Sequence, residues 1–348
     1  MTENKENNPR SGHSYMEDNK NGLKKYSFFS QEDPIAWNYY CEQQVQMWSA
    51  SEIPYTKDKN DYDNLSPRSR LLFEEILGFF APGDGLVSES IMRQLRSAKN
   101  SMECGFLFFQ AANEVVHAET YGRFIKMFSR TPEEEDRIFS MVETVDCISK
   151  KANFIQKYTN SMTHVSLRNL AQACAEGIFF VTLFAIIFFF RKLGIMEAFI
   201  FANEQISKDE TLHRDYYCAK ASENGINNYA QEAIAMCDEA IAIEIEFLSF
   251  LLRTPIQEGN LDQELGLTVE NLTELVKLLA DQILVQCGFE SHYNGLPNTP
   301  WMNDLGLSKK TNFYEKTVGN YKKGSAESQK DWKSSIGEKT NEDEEVYF

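Results

Sequence analysis

The segment Ile178–Phe190 reads IFFVTLFAIIFFF, interrupted only by Thr182, and Glu176 stands two residues before it. A helix that is apolar all round is buried all round, in lipid or at the centre of a protein. This run falls short of the roughly 20 residues that a membrane span needs. Glu176, Arg191 and Lys192 close it off at either end. It therefore predicts a central helix that other helices must surround. A carboxylate at the head of such a helix is costly to bury unless its charge is compensated, which a coordinated cation does.

The surroundings are helical too. From about Gln31 to Gly288 the apolar residues recur with helical period, and no alternating strand pattern persists. The spacing predicts helices over about 33–48, 67–97, 102–129, 132–157, 165–192, 195–223, 227–253 and 269–288. Ser66-Pro67 and Thr131-Pro132-Glu133-Glu134 have the form of helix starts: a capping side chain, proline at the first position and acids in the first turn. The expectation is an all-α domain over residues 31–302. Before it lies a polar extension over 1–30 with little to bury, and after it a polar tail over 303–348; both are expected to be disordered. The chain of 348 residues carries 52 acids against 35 Lys and Arg, a formal charge of −17. That balance repels phosphate backbones and anionic membranes and argues against nucleic-acid or membrane partners. Seven cysteines are scattered without a C-x-x-C pair, and no secretory signal opens the chain, which fits a reducing, cytoplasmic setting.

Two Glu-x-x-His motifs, Glu114–His117 and Glu210–His213, sit on separate helical segments. Residues three apart share a helix face, so each motif aims a carboxylate and an imidazole at one point. One such motif is commonplace, but two on different helices form the signature of ferritin-like di-iron bundles, in which two further helices each add a carboxylate. Glu176 is one candidate, for the burial reason above. Asp84 is less legible: Pro82-Gly83-Asp84-Gly85 reads as a turn, and a solvated loop carboxylate is its ordinary meaning. Carboxylate and imidazole donors suit iron or manganese, whereas thiolates would point to zinc or an iron–sulfur cluster.

The motifs together resemble the small subunit of class I ribonucleotide reductase, of the eukaryotic and large-DNA-virus type, from about Asp33 to the C-terminus. Asn113-Glu114-Val115-Val116-His117-Ala118-Glu119-Thr120-Tyr121 is similar to the family helix that carries Glu, His and a radical tyrosine, and Ser207-Lys208-Asp209-Glu210-Thr211-Leu212-His213 to its second ligand motif. Phe80–Gly85 and Glu176–Phe180 resemble the segments that hold its remaining ligands. Thr311-Asn312-Phe313-Tyr314-Glu315-Lys316 and Val318-Gly319-Asn320-Tyr321 resemble its tail.

The resemblance implies two iron ions per chain, with manganese the lesser alternative. Asp84, Glu114 and His117 would hold one and Glu176, Glu210 and His213 the other, with Glu114 and Glu210 bridging. It implies that the centre activates O₂ to leave a phenoxyl radical on Tyr121, with Phe180, Phe184 and Ile206 forming an apolar pocket around it. Trp48, Asp209 and Tyr321 would relay the radical to a large subunit that reduces ribonucleoside diphosphates for DNA synthesis. The acidic end Glu342–Phe348, with its two terminal aromatics, would dock into that subunit. A homodimer is also implied. Lys208 stands where the family commonly has Arg, which differs in planar hydrogen bonding. Lys5-Glu6-Asn7 matches a degradation signal of some animal members and is equally an ordinary polar tripeptide. A di-iron oxidase acting directly on an organic substrate, an iron-storage protein and a radical-free scaffold paralogue share the architecture. The first two need neither Tyr121 with its relay residues nor a docking tail, and the presence of all six ligands and Tyr121 argues against the third.

Overall fold

The computed structural model describes residues 33–159, 162–256 and 267–296, and among them every regular element is a helix. In chain order the α-helices are α1 (Pro34–Gln46), α2 (Asp58–Asn64), α3 (Pro67–Ser97), α4 (Ser101–Phe128), α5 (Pro132–Phe139), α6 (Met141–Thr144), α7 (Asp146–Tyr158), α8 (Val165–Cys174), α9 (Val181–Phe189), α10 (Glu197–Glu223), α11 (Ala230–Leu251) and α12 (Val269–Gln286), with short 3-10 turns between some of them. A π-helical turn over Ala175–Phe180 joins α8 to α9. The all-α expectation holds. Lys5-Glu6-Asn7, Tyr321 and Glu342–Phe348 lie outside the described residues.

Helix starts obey local chemistry. Ser66 Oγ accepts the Ser69 N–H at the head of α3, and Thr131 Oγ1 accepts the Glu134 N–H at the head of α5, so each satisfies an amide with no partner inside its helix. The expected helix over 132–157 is instead three pieces, α5, α6 and α7. Val145 is extended at φ −108° and ψ 112°, which ends α6. α6 lies close against α3, where a Cβ on Gly78 would come within 2.5 Å of Met141 Sδ.

The helical stretch Val165–Leu193 runs through the middle. It is long and apolar enough to cross a membrane, and its most apolar stretch has a mean hydropathy of 2.3, yet that stretch is wholly buried inside the protein. It is a core helix, packed by α10, α11, α12 and, through α8, by α7. α3 and α4 pack along one another on the other side of the site.

Two local features position the ligand-bearing helices. α3 runs without interruption through Pro82 to Ser97, so Asp84 is helical and fully buried, not the solvated turn residue that its neighbours imply. Proline removes one helical hydrogen bond, and the packing of α3 on α4 outweighs that loss. The head of α10 has no side-chain cap of its own, and Met196 before it is left-handed at φ 59°. Its amides are satisfied from elsewhere: Asp58 on α2 accepts from Ala198 N at 2.9 Å and Phe199 N at 2.6 Å, and Asp61 accepts from Met196 N at 3.0 Å. Negative charge at a helix N-terminus is also favoured by the helix dipole.

Candidate metal centre

Six ionisable side chains converge between these helices. α4 supplies Glu114 and His117, α10 supplies Glu210 and His213, α3 supplies Asp84 and the π turn supplies Glu176. All are at most 1% exposed. They form two overlapping groups, Asp84 with Glu114, His117 and Glu210, and Glu176 with Glu114, Glu210 and His213; within each group the donor atoms lie within 4.8 Å of one another.

The two shared carboxylates face both ways. Glu114 turns Oε2 to His117 Nδ1 at 3.3 Å and Oε1 to His213 Nδ1 at 3.3 Å. Glu210 turns Oε1 to His117 Nδ1 and Oε2 to His213 Nδ1, each at 3.1 Å. Each therefore offers one oxygen to each half, the disposition of a bridging ligand. Both Asp84 oxygens, Glu114 Oε2, Glu176 Oε2, Glu210 Oε1 and His117 Nδ1 are buried and take no hydrogen bond. Buried polar atoms are almost always paired, so a convergent set of unpaired lone pairs fits a pair of divalent cations. Among the described residues no thiol belongs to either group.

The electrostatics agree. Burial pushes the Asp84 and Glu176 carboxyls well above the usual carboxylate range, and neighbouring Glu114 and Glu210 add to the shift. Glu114 is raised for the same reason. Burial also acts to raise Glu210, but the two imidazoles outweigh it and hold that carboxyl low. Burial alone would lower His117; Glu210 and the hydrogen bond to Asp209 raise it well above its ordinary value. Burial thus works against the anionic form of most of these carboxyls, and a bound cation would favour it.

Residues not foreseen from the sequence frame the Glu176 side. Gln110 Nε2 donates to Glu176 Oε1 at 3.1 Å and to Glu114 Oε1 at 3.3 Å, while Gln172 Nε2 donates to Glu176 Oε1 at 3.1 Å. Gln110 is aimed by Tyr217, whose hydroxyl donates to its Oε1 at 2.8 Å, and Gln172 by Ser90, whose hydroxyl donates to its Oε1 at 2.9 Å. Each glutamine precedes a ligand carboxylate by four residues, a spacing that marks it in hindsight. Gly177 lets α10 come close, since a Cβ there would lie 2.5 Å from Arg214 Cδ.

Tyr121 is fully buried, one turn beyond His117. Its hydroxyl donates to Asn203 Oδ1 at 3.0 Å, and Asn203 Nδ2 donates to Phe199 O at 2.7 Å, which fixes the amide's orientation. Burial, with Asp84, Glu210 and Glu114 nearby, pushes the phenol well above its ordinary value. The ring lying on Tyr121 is Phe80, 4.7 Å away and nearly parallel at 11°. Phe180 and Phe184 back Phe80 at 5.6 and 5.4 Å, and Ile206 is buried. The ring against Tyr121 is thus Phe80, which the sequence did not single out, and Phe180 and Phe184 stand behind it.

Behind His117 the Asp209 carboxylate accepts from Trp48 Nε1 at 2.8 Å, and its same oxygen lies 3.1 Å from His117 Nε2. The Trp48 and His117 rings are stacked at 6.1 Å. Trp48 is half-buried, so this chain of contacts leads from the pocket toward the surface. Lys208 does not join it; its ammonium donates to Gln205 Oε1 at 3.1 Å.

Comparison with known proteins bears on this arrangement. Residues 25–300 match the family described as ribonucleotide reductase, small chain. The ribonucleoside-diphosphate reductase small chain of Variola virus is 32% identical over 296 residues, covering 85% of this chain and 90% of its own. The Rnr4 homodimer of Saccharomyces cerevisiae has the same fold at a TM-score of 0.69 and 23% identity, covering 84% of this chain and 88% of its own. The dimanganese(II)-NrdF of Streptococcus sanguinis does so at a TM-score of 0.65 and 21% identity, covering 76% of this chain and 92% of its own. The fold is the ferritin-like helical bundle of these proteins. The chain belongs to the ribonucleotide reductase small-chain family, as a subunit of a ribonucleoside-diphosphate reductase.

Proposed function

We propose that the chain is the radical-generating subunit of its reductase, with two iron ions held by Asp84, Glu114, His117, Glu176, Glu210 and His213. Once bound, such a pair supplies the oxidant by activating O₂. Tyr121 would give up one electron and its phenolic proton, both taken up as O₂ is reduced to water, and become a neutral phenoxyl radical. Full burial and the Phe80 ring keep water and reductants from it. Asn203 holds the phenol by an amide oxygen that accepts a hydrogen bond but is no base.

The observation that carries this reading is the chain Trp48–Asp209–His117 behind the pocket. Together with the fully buried Tyr121, a tryptophan linked to a ligand histidine and reaching toward the surface suits a subunit that exchanges an electron with a partner. Here it makes a route for an electron between Tyr121 and a partner. On this reading Tyr321 continues the route, Glu342–Phe348 docks into a separate large subunit where nucleotides are reduced, and the chain works as a cytoplasmic homodimer. Oxygen and nitrogen donors accept manganese as readily as iron; iron rests on the chain's resemblance to eukaryotic-type members.

The test is electron paramagnetic resonance of the full chain after anaerobic iron(II) loading and exposure to O₂. A tyrosyl signal is expected in wild type and none in Tyr121→Phe. No signal in wild type, or its survival in Tyr121→Phe, would sink the assignment. Deleting Glu342–Phe348 is expected to abolish turnover with the large subunit and leave the radical yield intact.

A further inference from the structure

The π turn raises a problem that the metal set does not solve. In an α-helix every carbonyl accepts the N–H four residues on; a π turn inserts one extra residue and disturbs that ladder. The insertion also rotates the helix after the turn by about 100° relative to the helix before it, since one residue is that fraction of a 3.6-residue turn. Within Ala175–Phe180 this sets where Glu176 points, and it sets Phe180, which meets Phe79 at 5.3 Å and Phe80 at 5.6 Å. A turn of this kind, lying in the most apolar helix of the chain, needs something to hold it.

Outside the two metal-binding groups lies a buried polar cluster with no part in the chemistry above. Lys151 on α7 and Glu244 on α11 are both 0% exposed and form an ion pair at 2.7 Å. The Lys151 ammonium also donates to the backbone carbonyl of Phe179 at 3.3 Å. Thr182 is fully buried as well; its hydroxyl hydrogen-bonds Glu244 and lies 3.1 Å from the carbonyl oxygen of Ile178. Two consecutive carbonyls at the end of the π turn are thus contacted by two groups tied to one carboxylate. The ammonium is walled in by the rings of Phe247 at 3.9 Å, Phe79 at 4.2 Å and Phe179 at 5.2 Å.

Stability does not explain this group. Taking a lysine and a glutamate out of water costs more than their attraction returns in many proteins, and an apolar pair of similar volume often folds as well or better. Burial works against both charges: it pulls the Lys151 ammonium down to about 8 and pushes Glu244 up. What an apolar pair could not do is hold the Phe179 carbonyl and bind the Thr182 hydroxyl that lies against the carbonyl of Ile178.

We propose that Lys151, Glu244 and Thr182 are positioning residues that hold the π turn in register, so that Glu176 faces the metal pocket and Phe180 faces the ring that covers Tyr121. The inference rests on the metal-binding reading of Glu176 but not on the radical. Neutralising the group is expected to loosen residues 175–182 and to weaken only the half of the centre to which Glu176 belongs.

The test uses the full-length chain with Lys151→Met and Glu244→Leu combined, which keeps volume and removes both charges. Two measurements are made. Amide hydrogen exchange of the metal-free protein is expected to quicken over 175–182 while the other helices keep wild-type protection. Anaerobic calorimetric titration with manganese(II) is expected to show one of two binding events weakened on the order of 10-fold, the low end of what losing a residue that supports a ligand costs. A folded double variant with wild-type exchange over 175–182 and wild-type affinity at both events would overturn the proposal. Should the double variant fail to fold, Thr182→Val removes only the hydroxyl. It is expected to shift exchange and affinity in the same directions by a smaller factor, and no shift in either overturns the proposal. If wild type itself binds no manganese(II), the metal-binding reading fails, while the exchange measurement still decides whether the group holds the turn.

Discussion

The two Glu-x-x-His motifs are alike in sequence and in their immediate geometry, yet the surroundings behind them differ. Each presents Nδ1 to the same pair of shared carboxylates, at 3.1 and 3.3 Å. Behind His117, Nε2 meets Asp209 and through it Trp48. Behind His213, Nε2 is buried without a hydrogen-bond partner, with the edge of Phe106 nearby. The ligand on that half with the most support is Glu176, under two glutamine amides. One half of the centre is thus linked toward the surface, and the other ends in packing and amide donors. Spacing within a motif sets which atoms converge, and the residue behind an imidazole sets what it communicates with.

The largest expected effects come from cutting ligands that belong to one half. Asp84→Ala and Glu176→Ala are each expected to remove one of two metal-binding events in calorimetry and leave the other, whereas Glu210→Ala removes both. The affinity lost should exceed about 100-fold, the upper end of what losing only a supporting residue costs. Loss of both ions in Asp84→Ala would mean that the halves are one unit. Next, Trp48→Phe is expected to lower turnover with the large subunit on the order of 100-fold. Metal content and the Tyr121 signal should remain as in wild type. Phe106→Leu, behind the other imidazole, should leave turnover unchanged; if it matches Trp48→Phe, the asymmetry is not functional.

A smaller effect is expected of Gln172→Leu, which removes one amide from Glu176 and should weaken the metal-binding event of that half by roughly 10-fold. The smallest concerns α1, which leads to Trp48. Asp33 caps that helix at Ala36 N and pairs with Lys220 at 2.9 Å. Burial acts to raise its carboxyl, but the Ala36 N–H, Lys220 and Asn100 outweigh it and leave it below its ordinary 3.8. A carboxyl depressed in the folded state contributes stability that is fully present above its unfolded value and is lost as pH falls through the folded one. Asp33→Ala is therefore expected to cost about 1 kcal/mol at pH 7 in chemical denaturation. The gap to wild type should narrow only below about pH 3.8.

How much of this could be read beforehand depended on distance along the chain. Glu114 with His117, and Glu210 with His213, lie within one helical turn, so their spacing already says that they point together. Glu176 was legible through its cost, an acid at the head of an apolar helix. Gln110 and Gln172 were legible in principle, four residues before ligand carboxylates, because helix neighbours at that spacing share a face. Asp84 was not, since its neighbours Pro82, Gly83 and Gly85 prefer a turn in isolation, whereas α3 runs helical through them among the helices packed on it. Nor was Phe80 as the cover of Tyr121, or Asp58 as the cap of α10, 140 residues away.

By itself, then, the sequence determined the helical class, the buried central helix and the two imidazole–carboxylate pairs. Each of these depends on periodicity or on burial cost, both of which are local. Only the tertiary structure decided that Glu114 and Glu210 share their oxygens between two halves, that Asp209 stands between His117 and Trp48, and that a π turn aims Glu176. Those arrangements depend on side chains from different helices meeting within hydrogen-bonding distance. Helix packing sets that distance, and no spacing along one stretch of sequence encodes it.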